Sequence, residues 1–498
     1  MDTLQFIAAG FSAALTPTNL AFALAGCILG TLIGVLPGLG PAAGTAILIP
    51  LTFKLDPTGA IIMLSAIYYG AMYGGTITSV LINVPGEAAS VITCIDGYEM
   101  AKKGRAGTAL GIAAIGSFIG GIFAATALVV VATPLSRLAL SFGPPEFFAL
   151  LLVGLCLVTS LAGRSLVAGV LMTVVGLLIA MIGIDPVRGA PRFTFGMPDL
   201  YDGVGFIPVV MGLFGIGEIL ITAESPARQV LKTKLTGLLP SREEWRRSLG
   251  AIARGTGIGF FLGLIPGVGS IIPTFMAYVL EKRLSKTPEQ FGQGAIEGVA
   301  APETANNAYA NAAMVPLLTL GIPSSPTIAV LMGAFIINGL TPGPFLFQER
   351  PDLVWAVIAS FFIGNVLLLV LNLPLVGLWA KILEVPYHYI CVGTLLFCVL
   401  GAYSINQSVF DIWVMLGFGV VGYLLRKIDF PIAPAVLGLI LGPMLEKSLR
   451  TSLEMSAGDF SIFLTRPISA GLLVIAGIIL VVSALRLAPA QVRESSAD

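Results

Sequence analysis

Residues 106–136, 255–280, 304–348 and 353–380 contain no Asp, Glu, Lys or Arg. No other property of the chain limits its fold so severely. A helix needs about 20 apolar residues to cross roughly 30 Å of hydrocarbon. Several of these stretches exceed one crossing, so they must fold back, break or tilt. Only 11% of the 498 residues are charged, 56% are hydrophobic, and the mean hydropathy is +0.95. A water-soluble domain carries about 25% charged residues, so most of this exterior must face lipid. The apolar positions show no period-2 alternation, which sets aside an outer-membrane barrel. The expectation is an all-α polytopic membrane protein with about 10–12 transmembrane helices. The start, Met1-Asp2-Thr3, has no basic n-region, so the first apolar segment is expected to insert uncleaved.

Charge and composition exclude several functions. The 27 basic and 27 acidic residues cancel, giving no argument for nucleic acid. Cys27, Cys94, Cys156, Cys391 and Cys398 lie in or beside apolar segments without metal-ligand spacing, and read as small packing residues. The one histidine, His388, lies between Tyr387 and Tyr389 and reads as an interfacial anchor. A single histidine and no carboxylate cluster argue against a metalloenzyme. No Gly-Lys-Ser or Gly-Lys-Thr is present, so the chain is not a P-loop ATPase. The expectation is a protein that is not an enzyme and has no organic cofactor, driven by an ion gradient or another subunit.

The longest polar stretch, Glu224 to Arg254, holds Arg228, Lys232, Lys234, Arg242, Arg246, Arg247 and Arg254 against three glutamates. Basic loops stay in the cytoplasm. This one divides the chain into a first repeat (1–223), a linker (224–254), a second repeat (255–410) and C-terminal helices with a short tail (411–498). Lys102, Lys103 and Arg105 mark a second cytoplasmic segment, and the four candidate spans between the two segments agree with that placement.

The halves resemble each other. Gly34-Val35-Leu36-Pro37-Gly38-Leu39-Gly40-Pro41 in the first corresponds to Gly263-Leu264-Ile265-Pro266-Gly267-Val268-Gly269-Ser270 in the second. A second Pro-centred break follows in each, Asn83 to Ser90 and Gly321 to Thr327. The interval between the breaks is 48 residues from Pro37 to Pro85 and 57 from Pro266 to Pro323. Pro removes a backbone donor and Gly permits unusual backbone angles, so together they end a helix. In lipid, such breaks survive only inside protein or beside a wet cavity. Matched interruptions in two halves point to a transporter binding site. The apolar arms around Pro266 are short, with Arg254 before the first and Lys282, Arg283 and Lys286 after the second. A re-entrant hairpin keeps both basic ends inside. If the repeats are inverted, the copy around Pro37 forms a second hairpin, opening from the periplasmic side.

Half-helix N-termini offer free N–H groups and partial positive charge, and C-termini offer carbonyls. Residues 304–348 contain no Lys or Arg, so an anion there would rely on dipoles, amides, hydroxyls and a co-bound cation. The candidate substrate residues are Gly40, Pro41, Ser90, Thr93, Asn306, Asn307, Ser324, Ser325 and Thr327. Candidate sodium ligands are Asn83, Gly38, Gly267, Ser270 and Asn311, and candidate hinges are Pro37, Pro85, Pro266 and Pro323. For each Ser, Thr or Asn, plain helix–helix hydrogen bonding is the competing role. Glu87 and Glu303 edge the apolar stretches. Glu87 reads as a cation or proton partner, or as an interfacial residue. Glu303 follows Pro302, as in a first helical turn, so capping competes with function.

These residues carry a resemblance to the large membrane subunit of the tripartite tricarboxylate transporters, the TctA-type family. The motifs are Leu36 to Pro41, Tyr69-Gly70-Ala71-Met72-Tyr73-Gly74-Gly75-Thr76, Val84 to Glu87, Asp96-Gly97-Tyr98-Glu99-Met100-Ala101, Glu297 to Ala308, and Leu320-Gly321-Ile322-Pro323. The resemblance implies a permease of the bacterial cytoplasmic membrane. It also implies a small TctB-type membrane subunit and a periplasmic TctC-type binding protein as partners, with citrate-like di- and tricarboxylates imported with a cation, usually sodium. An elevator-like movement follows by analogy with other paired-hairpin carriers. Two positions depart from the family pattern: Tyr309 interrupts a run of small residues, and Ser324 replaces the glycine of Gly-Ile-Pro-Gly. The alternatives are a stand-alone or proton-coupled carboxylate carrier, and a channel.

Overall fold

The computed structural model describes residues 3–36, 39–161, 165–185, 189–224, 235, 237–385 and 387–494. Pro37, Gly38, the basic residues Arg228, Lys232 and Lys234, and the side chain of His388 lie outside the described residues.

The core is built from two sets of helices. In the first half these are α1 (Pro17–Val35), α2 (Gly40–Leu48), α3 (Pro57–Ile82), α4 (Val91–Lys102) and α5 (Ala106–Ala139). In the second they are α6 (Arg242–Gly263), α7 (Ile271–Leu284), α8 (Glu297–Ala312), α9 (Met314–Leu320), α10 (Pro326–Ile337) and α11 (Pro351–Asn372). Local chemistry sets the ends. Asp56 accepts from the N–H groups of Thr58 (3.3 Å) and Gly59 (2.9 Å), and Pro57 opens α3 without wasting a donor. Ser241 and Glu244 form a capping box at the start of α6. The helix therefore begins at Arg242, inside the stretch expected to be linker, because its polar first turns stand clear of the apolar zone that sequence reading detects.

Contact registers give the helix directions. A Cβ on Gly26, Gly30 or Gly34 would collide with the backbone of Met63, Ile67 or Ala71. Both sets of numbers rise together, so α1 and α3 are parallel. Parallel neighbours require the chain to return between them, and α2 makes that return. The α1–α2 pair is thus a hairpin that enters and leaves on one side. The second half repeats this arrangement: Gly255 lies against Ala301, Gly259 against Ala305 and Gly263 against Tyr309, so α6 and α8 are parallel and α7 returns. Arg254 closes the hairpin base on Glu281, at 2.5 Å to Oε1 and 2.8 Å to Oε2.

The central helices α3 and α8 run in opposite directions. Thr76 meets Glu303, whereas Met72, one turn earlier, meets Asn306, one turn later. The two halves are therefore inverted. They also interlock: α2 packs on α10 of the other half and α7 packs on α4. The basic segments gather at one face, where Arg105 contacts Glu244 at 2.5 Å and Arg247 contacts Glu297 at 2.7 Å.

A peripheral layer comprises α12 (Pro144–Leu161), α13 (Leu166–Ala180), α14 (Phe206–Ala223), α15 (Tyr387–Asn406), α16 (Val409–Lys427), α17 (Ala433–Met455) and α18 (Pro467–Glu494). Among the described residues, eight helices are long and apolar enough to cross a bilayer, and five shorter apolar helices accompany them. The protein is an all-α polytopic membrane protein.

Candidate functional site

Both hairpin tips and both second breaks converge on one cavity of about 600 Å³. Leu39, Gly40 and Pro41 come from the first tip, Gly267 to Ser270 from the second. Pro85, Gly86 and Glu87 come from the first half's break, and Ser325, Pro326 and Thr327 from the second's. Phe214 and Glu218 of α14, Arg426 of α16, and Ala433 and Leu437 of α17 complete the wall.

Four helices begin at this cavity. The opening residues Gly40 of α2, Ile271 of α7, Pro326 of α10 and Ala433 of α17 all line it. Their N-termini bring unsatisfied N–H groups and partial positive charge toward a shared space, a setting suited to an anion. The chain adopts these starts because Pro occupies the first turn of α2, α10 and α17, where its missing donor costs nothing. Ser325 caps α10 by accepting from Ile328 N at 3.3 Å.

Arg426 is the one cationic side chain among the described residues lining the cavity, and it pairs with Glu218. The broken segments carry none, but α16 supplies one from the other wall. Sequence alone gave no signal for this contact, since Arg426 reads as the basic end of an apolar span. A π-helical turn over Met211–Ile216 precedes Glu218 and carries Phe214 into the wall. Such turns are frequent at functional sites.

Of the residues singled out from sequence, Gly40, Pro41, Gly267, Ser270, Ser325 and Thr327, with Pro85, line the cavity. Others lie behind it in a buried polar layer between α3 and α8. Thr93 and Thr76 donate to opposite oxygens of Glu303, Thr76 at 2.5 Å. Asn306 Nδ2 donates to Glu87 Oε1 at 2.7 Å. Asn307 Nδ2 donates to Ser117 at 2.7 Å, and Asn311 Nδ2 to the Asn307 carbonyl at 3.0 Å. The Ser90 hydroxyl donates to the Glu87 carbonyl at 2.9 Å. Asn83 is exposed at the end of α3 with φ 56°, where it stops the helix rather than facing the cavity. Pro266 and Pro323 lie in the connections that separate α6 from α7 and α9 from α10. The capping role considered for Glu303 does not hold: α8 starts at Glu297, and Pro302 sits inside it, so Glu303 is a mid-helix acid.

Tyr309 and Ser324, the two positions that the resemblance sets apart, touch each other. Tyr309 is fully buried and its hydroxyl donates to the Ser324 carbonyl at 3.2 Å. Gly269 N donates to the same carbonyl at 3.3 Å, joining the hairpin tip to the second break.

The chain matches the Tripartite tricarboxylate transporter TctA family over residues 20–437. It is 48% identical over 486 residues, 97% of both chains, to an Agrobacterium vitis protein described as an uncharacterized 52.8 kDa protein in the TAR-I ttuC' 3' region. A second protein of that organism, described as an uncharacterized protein in the TAR-II ttuC' 3' region, is 48% identical over 227 residues, 46% of this chain and 93% of its own length. No solved structure matches.

Proposed function

We infer, from its place in the tripartite tricarboxylate transporter TctA family, to which this chain belongs, that it is the large permease subunit of a binding-protein-dependent carrier importing di- and tricarboxylates with sodium. The observation that carries the anionic substrate is the cavity itself, where four helix N-termini and Arg426 face one space. A carboxylate entering there meets N–H groups without a desolvated lysine. Arg426 can exchange the carboxylate of Glu218 for that of the substrate, a swap of like for like that leaves no guanidinium unpaired.

The mechanism is alternating access in the bacterial cytoplasmic membrane. A periplasmic TctC-type protein delivers the substrate, and a small TctB-type subunit accompanies the permease. The inverted hairpins and breaks form one side of the cavity, and α14, α16 and α17 the other. An elevator-like step slides the first group, with its cargo, against the second. Hinge motion falls at Pro85, Pro266 and Pro323.

Reconstitution of the three components in proteoliposomes tests this reading. Labelled citrate and related di- and tricarboxylates should enter saturably, driven by an inward sodium gradient and dependent on the binding protein. Uptake by this chain alone would support a stand-alone carrier. Flux that does not saturate would support a channel. Failure of every di- and tricarboxylate would overturn the substrate class.

A further inference from the structure

Two carboxylates lie at the centre of the molecule with no cationic side chain on either. Glu303 is 1% exposed and Glu87 4%. Among the described residues neither forms an ion pair. Their side-chain partners are neutral: Thr76 and Thr93 for Glu303, and Asn306 for Glu87. Neutral donors soften the burial of an anion but do not cancel its charge, and two carboxylates in one buried layer repel each other. Intramembrane acids of this kind are costly enough to require a function.

A second observation points to what cancels the charge. Asn306 lies one helical turn beyond Glu303, on the same face of α8. Its amide nitrogen is committed to Glu87 and to the Met72 carbonyl (3.4 Å). Its amide oxygen, Oδ1, is fully buried and has no hydrogen-bond partner. Held on the same planar amide, this unmatched acceptor stays beside the carboxylate that its nitrogen binds. The layer therefore offers two carboxylates, an amide oxygen and two hydroxyls. All are hard oxygen ligands, without nitrogen or sulfur, and they carry surplus negative charge. Such a set suits a hard cation. Gly75 keeps the space open, since a Cβ there would press on the Glu87 side chain.

We propose that Glu87, Glu303, Asn306, Thr76 and Thr93, at the crossing of the two inverted halves, form a binding site for a sodium-sized monovalent cation. This rests on the cation-coupled reading above and assigns the coupling ion its place. Thr76, Glu87 and Thr93 belong to the first half, and Glu303 and Asn306 to the second. A bound cation replaces repulsion between the halves with a shared ligand, so ion occupancy and the α3–α8 crossing stabilise each other. Glu87 also lines the substrate cavity. The cation's charge thus lies next to the incoming carboxylate, which gives the two cargos a reason to bind together.

The test uses the purified full chain in detergent, without any carboxylate. Binding of radioactive sodium and thermal unfolding are measured in sodium chloride and in choline chloride at equal ionic strength. The unaltered chain should bind sodium saturably and unfold at higher temperature in sodium, by several degrees. Glu303→Gln should lose at least tenfold in sodium affinity and lose the sodium-dependent shift. In choline it should unfold no lower than the unaltered chain, because it removes an uncompensated buried charge. Thr93→Val provides a second, uncharged perturbation, with weaker binding expected. Glu146→Gln, whose carboxylate pairs with Arg466 in the peripheral layer, should keep the full sodium response. Sodium binding that survives Glu303→Gln and Thr93→Val overturns the assignment, as does stabilisation by acid with no sodium binding. Sodium binding at this site with no carboxylate uptake would leave this inference standing and remove the substrate reading instead.

Discussion

The break after α3 and the break after α9 occupy corresponding places in the two halves, yet they are held by different chemistry. Each begins with a residue at positive φ two positions before a proline: Asn83 (56°) before Pro85, and Gly321 (70°) before Pro323. That backbone device ends the helix in both. The side chains then diverge. The first break carries Glu87, tied to Asn306 of the opposite half. The second carries Ser324, tied to Tyr309 and Gly269 of its own half. The repeat preserved the path of the chain, while the charge went to one copy only. One break reaches the buried acid layer, and the other caps a helix at the cavity.

The largest expected effect tests what the halves share. Gly30→Leu and Gly259→Leu each force a bulky side chain between parallel helices whose backbones touch. Each should cost about 3 kcal/mol or more, and thermal unfolding in detergent should show similar losses. Tolerance of one and not the other would break the equivalence of the hairpins.

A second pair separates the breaks from the opposing wall. Arg426→Gln should lower uptake in the reconstituted system by about 100-fold, the scale of losing a buried charged partner. Ser325→Ala removes a helix cap worth about 1 kcal/mol and should lower uptake several-fold. Equal losses would place anion recognition in the breaks rather than on α16.

Smaller effects sharpen the same contrast. Tyr309→Phe should cost about 1 kcal/mol through the lost bond to the Ser324 carbonyl, measured as a lower unfolding temperature. Its sodium response should be unchanged, since this contact belongs to the second half alone. The smallest effect concerns the cap at the start of α3. Asp56→Ala should cost about 0.5–1 kcal/mol, through the lost hydrogen bonds from the Thr58 and Gly59 N–H groups, measured as a lower unfolding temperature.

Much of the fold was legible because membranes punish polarity. Uncharged stretches mark spans, and Pro-Gly pairs inside them mark breaks that need protein around them. Basic residues at both ends of the Pro266 segment indicate a hairpin by themselves, because both ends must stay on one side of the membrane. One repeat signal was present in the sequence but meaningful only in three dimensions. Gly26, Gly30 and Gly34 precede Pro37 at the same spacing by which Gly255, Gly259 and Gly263 precede Pro266. Each set is the face on which the hairpin's first helix meets its parallel partner.

The site was legible in part. Residues beside the breaks could be named because a Pro or Gly flags them locally. Which of them face the cavity, and which turn inward, depends on helix rotation that a string of small apolar residues does not encode. Sequence by itself determined the solvent of this protein, its duplication, its break points and, through the family motifs, its class. Tertiary structure decided the antiparallel crossing of α3 and α8, the meeting of Glu303 with Thr76 and Thr93, and the approach of Arg426 and Glu218 to a cavity built from residues 39 to 437. The physical reason is separation. A break is a local property of two or three residues, whereas a charge finds its partner only when helices hundreds of positions apart pack side by side.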